Sequence, residues 1–215
     1  MIDKRNAFLG GIHDLAAFER EFGLPRGYID ELINTDDWNL ILKSQTLLES
    51  ASSLALALHL GKPELRSVFS HLPIGNRKYG KFAFLKTMAL LTESELKFIE
   101  LLCELRNSTA HNAVHLSFSL RNHISELAEG DKKSFIRRLN LRLLSIGIDG
   151  VTYDGDEAVL HAPNHALWSS LTQCLGKLYF HCITGKKRIE FFASKIDEHK
   201  ATFGPIYLTP EIDDL

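Results

Sequence analysis

A chain of 215 residues with 45% hydrophobic side chains carries enough apolar material to bury a full core without disulfide staples. Its formal charge of −2 excludes a generally basic nucleic-acid coat and leaves room only for local basic patches. Cys103, Cys174 and Cys182 lie far apart in apolar contexts and form no Cys-x-x-Cys pair, which reads as buried free thiols in a reducing compartment.

The first six residues are followed by no apolar core of a signal peptide, and the run from Leu54 to Leu60 is far too short to span a bilayer. A cytoplasmic protein without a membrane partner is the expectation. Asn107-Ser108-Thr109 matches a glycosylation sequon, which means nothing without a secretory signal.

In chain order, residues 1–35 read as a helical lead-in. Phe8, Ile12, Leu15 and Phe18 recur at helical spacing, Gly23-Leu24-Pro25 breaks the pattern, and a short helix follows through Tyr28, Leu32 and Ile33. Asp36 or Asp37 is placed to cap a helix from Trp38 to about Leu60. Leucines crowd that helix so densely that it belongs at the centre of the core, and Gly61-Lys62-Pro63 ends it. After a loop with Pro73 and Gly75, Phe82, Phe84, Leu85, Met88 and Leu91 predict a helix over 79–91. Thr92-Glu93-Ser94-Glu95 is a capping box that opens another helix, roughly 93–110. Further helices are expected over 119–129 and from Gly130-Asp131 to about Ser145.

Residues 151–160 alternate around Asp154-Gly155 and predict a small β-hairpin. Helical rhythm then returns in Leu167, Leu171, Leu175 and Leu178, and again in Ile189, Phe192 and Ile196. Lys186-Lys187-Arg188 between them marks an exposed turn or helix surface. The tail, with Pro205, Pro210 and an acidic end, reads as irregular. The fold class is all-α: an up-and-down helical bundle over 36–145, with a hairpin and C-terminal helices over 146–215 packing on the same domain.

Chemistry is concentrated in Arg106-Asn107-Ser108-Thr109-Ala110-His111, an Arg-x4-His cluster closing the apolar helix Leu96 to Leu105. Metal-free RNA cleavage needs proton transfer at the 2′-hydroxyl and the leaving oxygen, and positive charge at the phosphorane. Histidine suits the first task near neutral pH and arginine the second. Five residues at about 100° each set Arg106 and His111 roughly 140° apart on a straight helix. The site therefore needs a helix that ends near Ser108, where Ser108 and Thr109 are weak helix formers, or a second subunit. The ordinary alternatives are an Arg106 ion pair with Glu49 or Glu104, and a His111 that caps the helix end.

His111/His115 and His161/His165 have the spacing of zinc ligands. The first lacks the glutamate of His-Glu-x-x-His and the second contains Pro163, so neither a metal nor a cofactor is expected. No phosphate loop, serine elbow or DNA-reading helix-turn-helix is present. Of the basic clusters, the one over 132–142 aligns Lys133, Arg137 and partly Arg138 on one helical side, as tracking of RNA phosphates requires.

The Arg106–His111 motif resembles the Arg-x4–6-His signature of the HEPN superfamily of helical proteins. The layout looks most like the mannitol-operon-repressor branch: a dense helix at 38–60, a Lys-Phe-rich helix at 81–91, then Leu105-Arg106-Asn107 with Ala110-His111. Phe118 and Arg121 to Leu127 fit that layout too, and the likeness covers about 38–130. The resemblance implies a helical bundle that commonly dimerises and brings two motifs together. Many members are metal-independent endoribonucleases acting as toxins or antiviral effectors; others are non-catalytic regulators. It implies a toxin- or defence-like endoribonuclease, a homodimer with an antitoxin or regulatory protein as a further partner. In it His111 is the general acid/base, Arg106 the phosphate stabiliser and Asn107 their support. The alternative it implies is a transcriptional regulator or interaction module without catalysis.

Overall fold

The computed structural model describes residues 15–110, 118–141, 145–148 and 151–203. Two short helices lead in, α1 (Leu15–Glu21) and α2 (Tyr28–Leu32). Buried Glu19 joins them, its carboxylate accepting from the backbone N–H of Gly27 at 2.8 Å and of Ile29 at 3.1 Å. The next helix, α3 (Asp37–His59), starts where expected, because the Asp36 carboxylate accepts from the Asn39 N–H at 2.8 Å. From Leu47 to Leu58 it is buried on nearly every side, so it forms the axis of the core.

After α4 (Arg66–Ser70) the chain makes a tight loop before α5 (Lys81–Thr87). Gly80 is obligatory in that loop, since a Cβ there would lie 2.2 Å from the Pro73 carbonyl oxygen. The helix predicted over 79–91 is shorter than expected. Ala89 takes a left-handed φ of 52°, and the Leu90 N–H bonds back to the Leu85 carbonyl, closing the helix as a Schellman turn.

The Thr92–Glu95 capping box is present and opens α6 (Glu93–Ala110). Beyond it come α7 (Leu120–Glu126) and α8 (Glu129–Leu139). The latter stops six residues before Ser145 because Ser170 captures its end, donating to the Leu139 carbonyl at 2.6 Å and accepting from the Leu141 N–H at 3.1 Å.

The hairpin is real but displaced. β1 (Ser145–Ile148) pairs antiparallel with β2 (Val151–Asp154), Ile148 opposite Val151. Asp154-Gly155 is therefore not its turn: Gly155 begins α9 (Gly155–His161), which has Asp156 and Glu157 in its first turn and buries Ala158 and Val159. From Pro163 a single helix of 41 residues, α10 (Pro163–Phe203), replaces the two expected, and Lys186-Lys187-Arg188 is a surface of it. Its buried part lies along α3 as far as Gly185, where a Cβ would meet the Leu58 carbonyl oxygen at 2.7 Å. Residues 190–200 are exposed throughout, so the second half overhangs the bundle.

The chain is thus an all-α helical bundle with one small hairpin. One apolar cluster from α3, α6 and α10, including Leu48, Leu56, Phe98, Leu102, Leu171 and Leu178, forms the main core. Each such side chain contributes about 1.5–3 kcal/mol. No described helix is long and apolar enough to cross a membrane.

Candidate active site

The capping box places α6 firmly. Glu95, 1% exposed, accepts from the Thr92 N–H at 2.6 Å and, beyond the local motif, from Lys177 Nζ on α10 at 2.9 Å. Burial pushes the Glu95 carboxyl up, but Lys177 and the two Thr92 donors together outweigh it and hold its pKa below the ordinary value.

At the other end, α6 stays helical through Ser108 to Ala110, so the break expected near Ser108 does not occur. The hydroxyls that were expected to unwind the helix bond within it instead. Ser108 Oγ donates to the Leu105 carbonyl at 2.8 Å, and Thr109 Oγ1 donates to the same carbonyl at 2.9 Å. Trp38 Nε1 at the start of α3 donates to the Thr109 carbonyl at 3.3 Å. The neighbouring Asp37 carboxylate accepts from the Leu120 N–H at 2.7 Å. Two consecutive residues therefore hold both flanks of the segment that carries His111. Burial raises the Asp37 pKa, partly offset by that N–H. His111 itself, with His115 and Arg142, lies outside the described residues.

Arg106 is half-buried and Asn107 exposed on the last turns of α6, and Arg106 Nη1 donates to Asn107 Oδ1 at 3.3 Å. Neither ion pair considered for Arg106 forms. Glu104 is bound to Arg138 at 2.7 Å, and Glu49 accepts from Gln45 Nε2 at 3.2 Å. Arg106 has no ion pair among the described residues and faces a cleft of about 580 Å³. The cleft runs between Gln45 and Glu49 on α3, the 73–77 loop, and α6.

Sequence reasoning missed this cleft. Its signal was Gln45 and Glu49, a large polar pair at i, i+4 in a leucine-rich helix. Arg77 at the rim is forked onto Glu100. Cys103 is only half-buried and lines the cleft, which corrects the expectation that every thiol is buried. Burial, aided by Glu49 and Glu104, pushes its pKa up to about 12, so it is no nucleophile at neutral pH. Behind the loop, the Lys81 side chain is 1% exposed with no ion-pair partner among the described residues. Burial lowers its pKa, while Glu49 pulls it back up.

Lys133 and Arg137 are exposed on α8 and make no ion pair among the described residues, whereas Arg138 is held by Glu104. The expected basic side is thus reduced to two free cations. Of the histidine pairs, His161 and His165 fall on different helices. His161 stacks on Tyr153 at 3.8 Å, and His165 Nδ1 lies 3.1 Å from Asn164 Oδ1. Among the described residues no group of three or more His, Cys, Asp or Glu is placed to hold a metal ion.

Comparison with protein-family models, curated proteins and solved structures found no match to this chain. The reading of the site rests on its residues.

Proposed function

We propose that the chain is a metal-independent endoribonuclease of the HEPN type, toxin- or defence-like, acting through Arg106 and His111. The observation that carries this reading is Arg106. A half-buried guanidinium that pairs with neither candidate carboxylate among the described residues, facing an open cleft, is available for an anionic ligand. Asn107 holds it from the adjacent position.

In this mechanism His111 moves the proton between the 2′-hydroxyl and the leaving 5′-oxygen, and Arg106 stabilises the charge on the phosphorane oxygens. Because α6 is unbroken at Ser108, the proposed site draws Arg106 from one subunit and His111 from the other in a homodimer. Lys133 and Arg137 guide the RNA backbone. The test is incubation of total RNA with the purified chain in EDTA. Cleavage leaving 2′,3′-cyclic phosphate ends is the expected result, and intact RNA after prolonged incubation removes the reading.

A second reading, a non-catalytic regulator or interaction module, is favoured by the overhang of α10. There Phe191 is 56% and Phe192 57% exposed, an apolar surface suited to a protein partner. Harmless expression, with Arg106→Ala altering thermal stability and no RNA phenotype, would select it.

A further inference from the structure

The apolar face of α10 runs on past the helix that covers it. From Leu171 to Cys182 its core positions follow at alternating steps of four and three residues. The same steps lead through Gly185, against Leu58 of α3, to Ile189, Phe192 and Ile196. Because α3 ends at His59, Phe192 and Ile196 are left exposed on an open groove of about 820 Å³, whose other wall is Leu60, Gly61 and Met88. At the inner end of this groove Arg188 donates to the His59 carbonyl, and Lys187 beside it is exposed. Neither has a carboxylate partner among the described residues, whereas Lys186 is held by Glu21 at 2.6 Å.

Charge selects what covers the groove. Residues 186–200 carry five lysines and arginines against three carboxylates, so the overhang of a second copy would meet its own sign. The exposed stripe is also only about two turns long, against the roughly three to four heptads that sustain a coiled coil. Residues 204–215 have the opposite character. They contain three carboxylates, Glu211, Asp213 and Asp214, no lysine or arginine, and apolar Ile206, Tyr207, Leu208 and Ile212. Gly204-Pro205 at their start opposes a further helical turn. From Phe203 back to Arg188 is about 22 Å along α10, which about seven extended residues retrace. That length sets Leu208 level with Ile196 and the carboxylates level with Lys187 and Arg188.

We propose that residues 204–215 fold back along α10 of the same chain and cover this groove, apolar side chains on Phe192 and Ile196, carboxylates at Lys187 and Arg188. Tethering favours the contact, since a segment joined so closely to its groove acts at an effective concentration in about the millimolar range. This cover is independent of the ribonuclease reading. It occupies the face on which the second reading seats a protein partner, and such a partner has to displace it.

The test is disulfide trapping in the full chain at low micromolar concentration, with products separated by mass. Ala193 lines the groove; Ser194, about 100° further round α10, does not. Both are exposed, so cysteine at either position leaves the core intact. Wild-type chain, whose three thiols are buried or half-buried, is the blank. Ala193→Cys with Thr209→Cys is expected to close an intramolecular disulfide about tenfold faster than Ser194→Cys with Thr209→Cys. Adding Asp213→Lys and Asp214→Lys is expected to slow the Ala193→Cys pair roughly fivefold. Equal rates at the two α10 positions, a disulfide formed between chains instead of within one, or a rate unmoved by the charge reversals overturns the proposal.

Discussion

The indole N–H of Trp38 donates to the Thr109 carbonyl at 3.3 Å, across 71 positions of sequence. It joins the first turn of α3 to the last turn of α6, the turn that ends at the proposed catalytic segment. Trp38→Phe keeps an aromatic ring, trims its size and removes the donor. It is expected to cost about 1 kcal/mol, a fall of roughly 2–4 °C in Tm by calorimetry. RNA cleavage at a permissive temperature should fall more than the unfolded fraction accounts for. Loss of stability alone would assign Trp38 a purely structural role.

Ala89 ends α5 in the left-handed region with an exposed side chain. Replacement by glycine relieves that strain and gives up no packing. Ala89→Gly is therefore expected to stabilise the chain by about 0.5–1 kcal/mol, read from denaturant midpoints at constant m.

Glu95 predicts a pH dependence whose sign is fixed by its lowered pKa. Above the unfolded value both states are ionised and the contribution from Lys177 and Thr92 is full. As pH falls through the folded value the carboxylate protonates in both states and the contribution is lost. Glu95→Gln should cost about 1–3 kcal/mol at pH 7 and progressively less in acid. Parallel losses at pH 7 and in acid would contradict this.

Much of this arrangement was legible, and what was not follows from distance along the chain. Caps are local, so Asp36 and Thr92–Glu95 could be read directly. Lys177, 82 positions from Glu95, could not. The strand at Val151 was visible in its alternation. Its partner was misplaced because Asp154-Gly155 looks like a turn, although Asp156 and Glu157 behind it also signal a helix N-terminus. Ser108 and Thr109 were expected to break α6, since propensity does not reveal that both hydroxyls bond to Leu105. Arg106 and Asn107 stood out as a motif. The cleft they face required α3 and the 73–77 loop to be brought together in three dimensions.

Lys133 and Arg137 are exposed cations of α8 without an ion pair among the described residues, whereas Arg138 already has Glu104. Lys133→Ala with Arg137→Ala should lower the slope of log K against log salt for single-stranded RNA by about 1.4. Arg138→Ala should change that slope less than either single substitution. A larger effect from Arg138 would relocate the RNA path.

The unbroken α6 makes a prediction about subunits. Arg106→Ala and His111→Ala chains, each inactive, should regain cleavage when mixed and allowed to exchange, because one composite site keeps both residues. Inactivity of the mixture, with exchange shown independently, would place both residues in one subunit.

RNA cleavage by Arg106 and His111 is decided by total RNA integrity in EDTA, comparing wild-type chain with His111→Ala at equal concentration and equal folded fraction. Fragments with 2′,3′-cyclic phosphate ends are expected from the wild type and intact RNA from the variant. Equal fragmentation by both, or intact RNA from both, removes the two residues from the chemistry.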